Sequence, residues 1–129
     1  MKLAALTGLS RESIEDLLKH HIRTFEIRSA HNMIVFSGIR PGDSIFITDV
    51  VPPDLIPGVC GHIVTVRGVD VHMSRVSVST PLNHEERETM GARVQLVVHA
   101  IGKVRDVYPI EPYKPIYVEA IEIKHCDAR

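Results

Sequence analysis

Apolar and polar side chains alternate through Arg23-Thr24-Phe25-Glu26-Ile27-Arg28. As a β-strand this hexapeptide points Phe25 and Ile27 at a core and Thr24, Glu26 and Arg28 the other way. Residues two apart on a strand lie roughly 6.6 Å apart, so Glu26 and Arg28 can pair or converge on a ligand. Upstream, Leu3–Leu6 reads as a short strand. Ser10 is then a good helix N-cap, with Leu9 and Ile14 spaced as a hydrophobic staple. A helix is predicted from about Arg11 to Lys19, with Ile14, Leu17 and Leu18 as its buried stripe and acidic residues near its positive end.

From His21 onward the period shortens to β-like runs at 22–29, 33–36, 44–48, 61–66 and 75–79, with Pro41-Gly42-Asp43 and the 52–58 prolines and glycine supplying corners. Gly68 interrupts one long run, where a bulge would let a strand curl around a barrel. Thr80-Pro81 and Gly91 bracket a polar stretch with proline at its start and glycine past its end, which predicts a short second helix near 82–90. Residues 93–101 and 116–123 return to a β pattern. The Tyr108–Pro115 segment, with three prolines, is expected to be an extended loop. The pattern predicts one α+β domain spanning 1–129: a small β-barrel, a packed N-terminal helix and a short second helix.

Composition sharpens this picture in a few places. The chain has 129 residues, 44% of them apolar, enough for one core. The first residues carry only a brief apolar patch broken by Gly8, so neither a signal peptide nor a spanning helix is expected, and the protein is read as cytoplasmic with no membrane partner. In that compartment Cys60 and Cys126 are expected as free thiols. A net charge of −1 leaves no surplus for neutralising phosphates over a broad surface, so any phosphate site must be local. Aromatic residues make up 5% with no tryptophan, which counts against a platform stacking successive bases but not against a pocket for one nucleotide.

The order strand, helix, Arg-Thr-Phe-Glu-Ile-Arg strand, Pro-Gly-Asp turn, Ile45-Phe46-Ile47 strand and Gly61-His62-Ile63-Val64-Thr65-Val66 resembles the ASCH domains of the PUA-like superfamily, over about residues 3–100. Those domains carry Gly-x-Lys-x-x-Glu-x-Arg after the first helix. Arg23, Glu26 and Arg28 stand in the lysine, glutamate and arginine places, and His21 replaces the glycine. Gly42-Asp43 and Gly61 stand in the later positions. Within that superfamily the whole chain is similar to a family of uncharacterised archaeal proteins. The resemblance implies a PUA-like barrel and recognition of RNA or a nucleotide-like ligand. Some small members are hydrolases, either amidohydrolases or a ribonuclease. The amidohydrolase motif resembles this one with threonine at Glu26 and lysine at Arg23, so this chain lacks that nucleophile.

Two readings of Arg23, Glu26 and Arg28 stand side by side. In one they form a polar cleft whose guanidinium groups bind phosphate or carboxylate, with Glu26 orienting them or, in a hydrolase, acting as general base. In the other they are ordinary salt bridges on an exposed strand. Strict alternation sends Arg23 to the core face, so it joins Glu26 only through a bend at His20-His21. Arg87 and Arg93, flanking Gly91, are candidate cleft walls. Asp43 reads as a turn-fixing residue. Cys60, His62, His125 and Cys126 match no structural zinc spacing, so neither metal nor cofactor is expected. Phosphate-loop, dinucleotide and nucleophile-elbow motifs are missing. A scaffold role through the Tyr108–Pro115 loop is the third alternative.

Overall fold

A computed structural model describes residues 1–126, including their side chains except those of residues 74–76, 78, 83 and 85–89. The elements run β1 (Lys2–Leu6), α1 (Arg11–His20), β2 (Ile22–Ile27), α2 (Ala30–Met33) continued by a 3₁₀ turn (Ile34–Ser37), β3 (Ser44–Ile47), a 3₁₀ turn (Pro52–Asp54), β4 (Cys60–Thr80), β5 (Asn83–Val107) and β6 (Tyr117–Ile123). The strands form a single sheet in the order β2-β5-β4-β3-β1-β6, and a further pairing of β5 with β6 closes five of them into a ring. One edge of β5 is shared: residues 92–97 pair with β2, and 101–107 pair with β6. Among the described residues the one parallel contact is β1 with β3.

The inner strands β1 and β3 are buried on both faces, which explains why they read as near-continuous apolar runs, whereas β2 and β6 alternate buried with open positions. Leu6, Ile45, Ile47, Val64, Val66, Val94 and Leu96 pack against Ile14 and Leu17 of α1, Phe25 and Ile27 of β2, and Val35 and Phe36. On the opposite face Leu3, Ala5, Phe46, Ile63, Val104, Val118 and Ala120 form a second cluster, capped by Leu55 and Ile116. Register shifts at Ile63/Val64 and Val66/Gly68 bend β4, the second of them where Gly68 predicts a bulge.

Ser10 caps α1 as expected, accepting a hydrogen bond from the Ser13 backbone N–H at 3.1 Å. The helix ends at His21, whose φ of 65° supplies the corner into β2. Leu18 is exposed, so the buried stripe of α1 is Ile14 and Leu17 only.

Three further expectations are corrected. Residues 33–36 are helical rather than extended, because buried Asn32 anchors this segment to the β1–α1 turn. Its side-chain oxygen accepts from the Thr7 N–H at 3.0 Å, and its amide donates to the Thr7 carbonyl at 2.9 Å. Residues 82–90 are not a second helix. Pro81-Leu82 is a two-residue hairpin turn, with Thr80 opposite Asn83, and the segment beyond it is the start of β5. The runs at 61–66 and 75–79 are consequently parts of one long strand. Finally, Cys60 and Cys126 are not free thiols but a disulfide with Cα atoms 6.3 Å apart, which ties the segment after β6 to the first residue of β4. The fold brings the two together across 66 positions of sequence.

Candidate functional site

β2 is the sheet's first strand and, among the described residues, pairs only with β5, so no strand covers its other edge there. Along that edge lies a groove of about 410 Å³. Its floor is the run 23–29; its rim is Gly8, Leu9, Ser10 and Ser13 at the start of α1, with Asn32 closing one end. Because an edge strand borders such a groove with side chains of both faces, Arg23, Glu26 and Arg28 all line it although they point in two directions.

Arg23 keeps strict alternation. It lies with the core-facing residues, its guanidinium 5.0 Å from the centre of the Phe25 ring and its Nε 2.9 Å from Asp16 Oδ2 on α1. The corner at His21 exists, but it delivers Arg23 to α1 rather than to Glu26. On the other face, Arg93 Nε donates to Glu26 Oε1 at 2.6 Å, with Arg93 directly opposite Glu26 in the β2–β5 register and Asp70 opposite Arg93 in β4. Glu26, Arg93 and Asp70 therefore form a charge ladder across three strands. Arg28 shares the Glu26 face and makes no ion pair among the described residues, which leaves it the least committed cation on the groove. The Arg87 side chain lies outside the described residues.

Electrostatics separates two roles for Glu26. The hydrogen bond from Arg93 holds its carboxyl below the usual carboxylate range, against the opposing effect of desolvation, and the charges of Arg93, His72 and Arg28 act in the same direction as the hydrogen bond. A general base working near neutrality needs the opposite shift. Glu26 is built as a fixed anion that orients Arg93.

Elsewhere, Asp43 accepts a hydrogen bond from the Arg40 backbone N–H at 2.9 Å and fixes the Pro41-Gly42 corner, the structural role its sequence context predicts. A second hollow of about 290 Å³ lies between α1 and β4, where the half-buried His62 meets Arg11, Asp49 and Cys60. His62 Nδ1 is buried without a hydrogen-bond partner, and burial pushes its imidazole pKa down while the Asp49 carboxylate opposes the shift. With both cysteines in the disulfide, the four-residue set Cys60, His62, His125 and Cys126 offers no thiolate, and the described residues contain no group of three or more His, Cys, Asp or Glu poised to hold a metal. No described helix is long and apolar enough to cross a membrane. At the Tyr108–Pro115 loop, the Tyr108 hydroxyl donates to Glu119 Oε2 at 3.1 Å, and Lys2 Nζ sits 4.6 and 4.8 Å from the Tyr108 and Tyr117 ring centres.

Residues 1–118 match the family described as "Protein of unknown function (DUF473)". The chain belongs to that family. It is also 30% identical over 119 residues to "Uncharacterized protein MJ0105" of Methanocaldococcus jannaschii, covering 92% of this chain and 71% of that protein. No solved structure matches it. This DUF473 chain thus has an uncharacterised archaeal relative spanning most of its length, and the matched segment includes the whole groove while stopping short of Cys126.

Asp16, Asp70 and His72 complete the electrostatics of the site and are not singled out by sequence. Each reaches β2 through helix packing or cross-strand register, and neither leaves a local pattern.

Proposed function

We propose that this DUF473 protein is a cytoplasmic PUA-like module, its closed ring an ASCH-type barrel, that binds RNA or a nucleotide-like ligand in the groove along the free edge of β2. The observation that supports the reading is the composition of that groove. Uncommitted Arg28 faces a rim made of the capped N-terminus of α1 with the Ser10 and Ser13 hydroxyls, over a strand edge whose backbone groups are unpaired. A phosphate fits such a place because helix N-termini present N–H groups and a partial positive charge to anions. Arg28 adds a planar fork of donors, and the Thr24 hydroxyl and β2 backbone supply hydrogen bonds for a base or sugar. Arg93 and Arg23, held by Glu26 and Asp16, act as positioned positive charge rather than free ligands. Cytosolic thiols are ordinarily kept reduced, so a cytoplasmic location makes the Cys60–Cys126 bridge one of the intracellular exceptions.

Titration of labelled single-stranded and structured RNAs against the wild type and Arg28→Ala, at two salt concentrations, tests the proposal. Arg28→Ala is expected to weaken binding with the fold intact, and the wild-type salt slope should be shallow because only a few counterions leave a local patch. Equal binding by both proteins removes this groove as the RNA site. No binding by either redirects the groove to a small nucleotide, tested by titrating mononucleotides against the same pair.

A further inference from the structure

The Cys60–Cys126 disulfide lies between two hollows. On one side Cys60 lines the hollow of about 290 Å³ that it shares with His62. On the other, both cysteines line a larger one of about 700 Å³, together with Lys103, His125 and the apolar Ile56 and Ile123. The two sulfurs differ in access, since Cys126 is exposed and Cys60 half-buried. Their surroundings differ too. Lys103 stands directly opposite Cys60 in the β4–β5 register and makes no ion pair among the described residues, while His62, two positions along β4, shares the face of Cys60. Of the carboxylates on the smaller hollow, Asp49 is paired with Arg11 at 3.4 Å and Glu15 is exposed on α1.

We infer that the bridge is a site of thiol–disulfide exchange, thiolated at Cys126 by a low-molecular-weight thiol that enters the larger hollow. The incoming thiolate attacks Cys126 Sγ, and a new S–S bond joins the two. The Cys60–Cys126 bond breaks, and Cys60 departs as a thiolate with the electron pair. Attack of that thiolate on the mixed disulfide expels the small thiol and restores the bridge, so neither direction consumes an oxidant. Access and leaving group select the same sulfur. Exchange proceeds at the sulfur that can be reached and is faster when the departing thiol has the lower pKa. A neighbouring lysine lowers a thiol pKa, and Lys103 stands beside Cys60. His62 Nδ1 is buried with no hydrogen-bond partner, which leaves the imidazole a position to serve a thiolate released into the hollow they share. The fold tolerates the opening. β6 keeps its pairing with β1 and β5 as far as Ile123, so only Lys124, His125 and Cys126 come loose and the ring stays closed. Exposed bridges are the labile class of disulfides.

Incubation of the folded, oxidised full chain with reduced glutathione, followed by acid quenching, maleimide blocking and peptide mass spectrometry, tests the inference. Early in the reaction glutathione is expected on Cys126 and maleimide on Cys60, with the circular dichroism of the wild type retained. Lys103→Ala should form the adduct roughly threefold more slowly or worse, the scale of one pKa unit in a leaving thiol. Lys103→Arg should keep the wild-type rate. Because Lys103 is exposed, both variants should fold as the wild type does. A bridge that resists glutathione unless denaturant is present, an adduct on Cys60 instead of Cys126, or equal rates for wild type and Lys103→Ala would each overturn the inference.

Discussion

Gly61 lies where β4 crosses Phe46, and a Cβ there would overlap both the Ile47 carbonyl oxygen and the Phe46 ring. Its cross-strand partner Gly102 is crowded by Ile63 and the same ring. Gly61→Ala should therefore cost about 1–3 kcal/mol, the range for overpacking a filled core, read as a lower midpoint in denaturant unfolding with unchanged slope. His62, one residue on, makes stability depend on pH. Its folded pKa lies below its ordinary value of 6.5, so the unfolded chain takes up the proton first. The stabilising contribution of the neutral imidazole is complete above that ordinary value and is lost as pH falls below it. Denaturant midpoints between about pH 7.5 and about pH 5 should fall more steeply for wild type than for His62→Gln. Parallel curves would mean that His62 does not titrate differently on folding. The glycine's place at the head of a strand is visible in the sequence, but the ring that forbids its substitution comes from a neighbouring strand and is not.

Among the elements, β2 was legible in detail because alternation over six residues has one interpretation: Phe25 and Ile27 are buried, and Glu26 and Arg28 face outward. Phe25→Ala should cost about 3–5 kcal/mol, the usual loss for a buried aromatic side chain, in an unfolding titration. A loss under about 1 kcal/mol would mean that the strand's faces are assigned backwards. The helix α1 was legible for a similar reason, its cap and stripe being local. The run Met33-Ile34-Val35-Phe36 was not, because four apolar residues in succession carry no period and only the contact of Asn32 with Thr7 decides their conformation. Residues 82–90 misled through the opposite fault. Proline before and glycine after a polar segment suit a helix, yet proline equally presets a turn, and the pairing of β4 with β5 prevailed. In the site, the outward pair Glu26 and Arg28 could be read from β2 alone, whereas the allegiance of Arg23 to Asp16 depends on how α1 packs.

At the scale of the whole molecule the disulfide is the principal feature beyond sequence reading, since the proximity of Cys60 and Cys126 is a product of the fold. Closing a loop across 66 positions constrains the unfolded chain by about 4 kcal/mol on the loop-entropy relation. Replacing both cysteines by serine should lower stability by up to that amount, and reductant should destabilise the wild type while leaving the double variant unmoved. Equal stability of both proteins under oxidising conditions would show that the bridge contributes nothing. The closure of the ring has another kind of consequence. Both partners of β1 come later in the chain: β3 at residues 44–47, and β6 at 117–123, more than a hundred positions away. Pairings so distant in sequence are slow to find, because the entropy of a large loop is lost before the contact forms. During synthesis β1 emerges first and is sealed on its second side last. The growing and newly released chain thus carries an apolar, half-paired strand until β6 is free to pair with it, which makes that interval the point at which this protein most needs a chaperone.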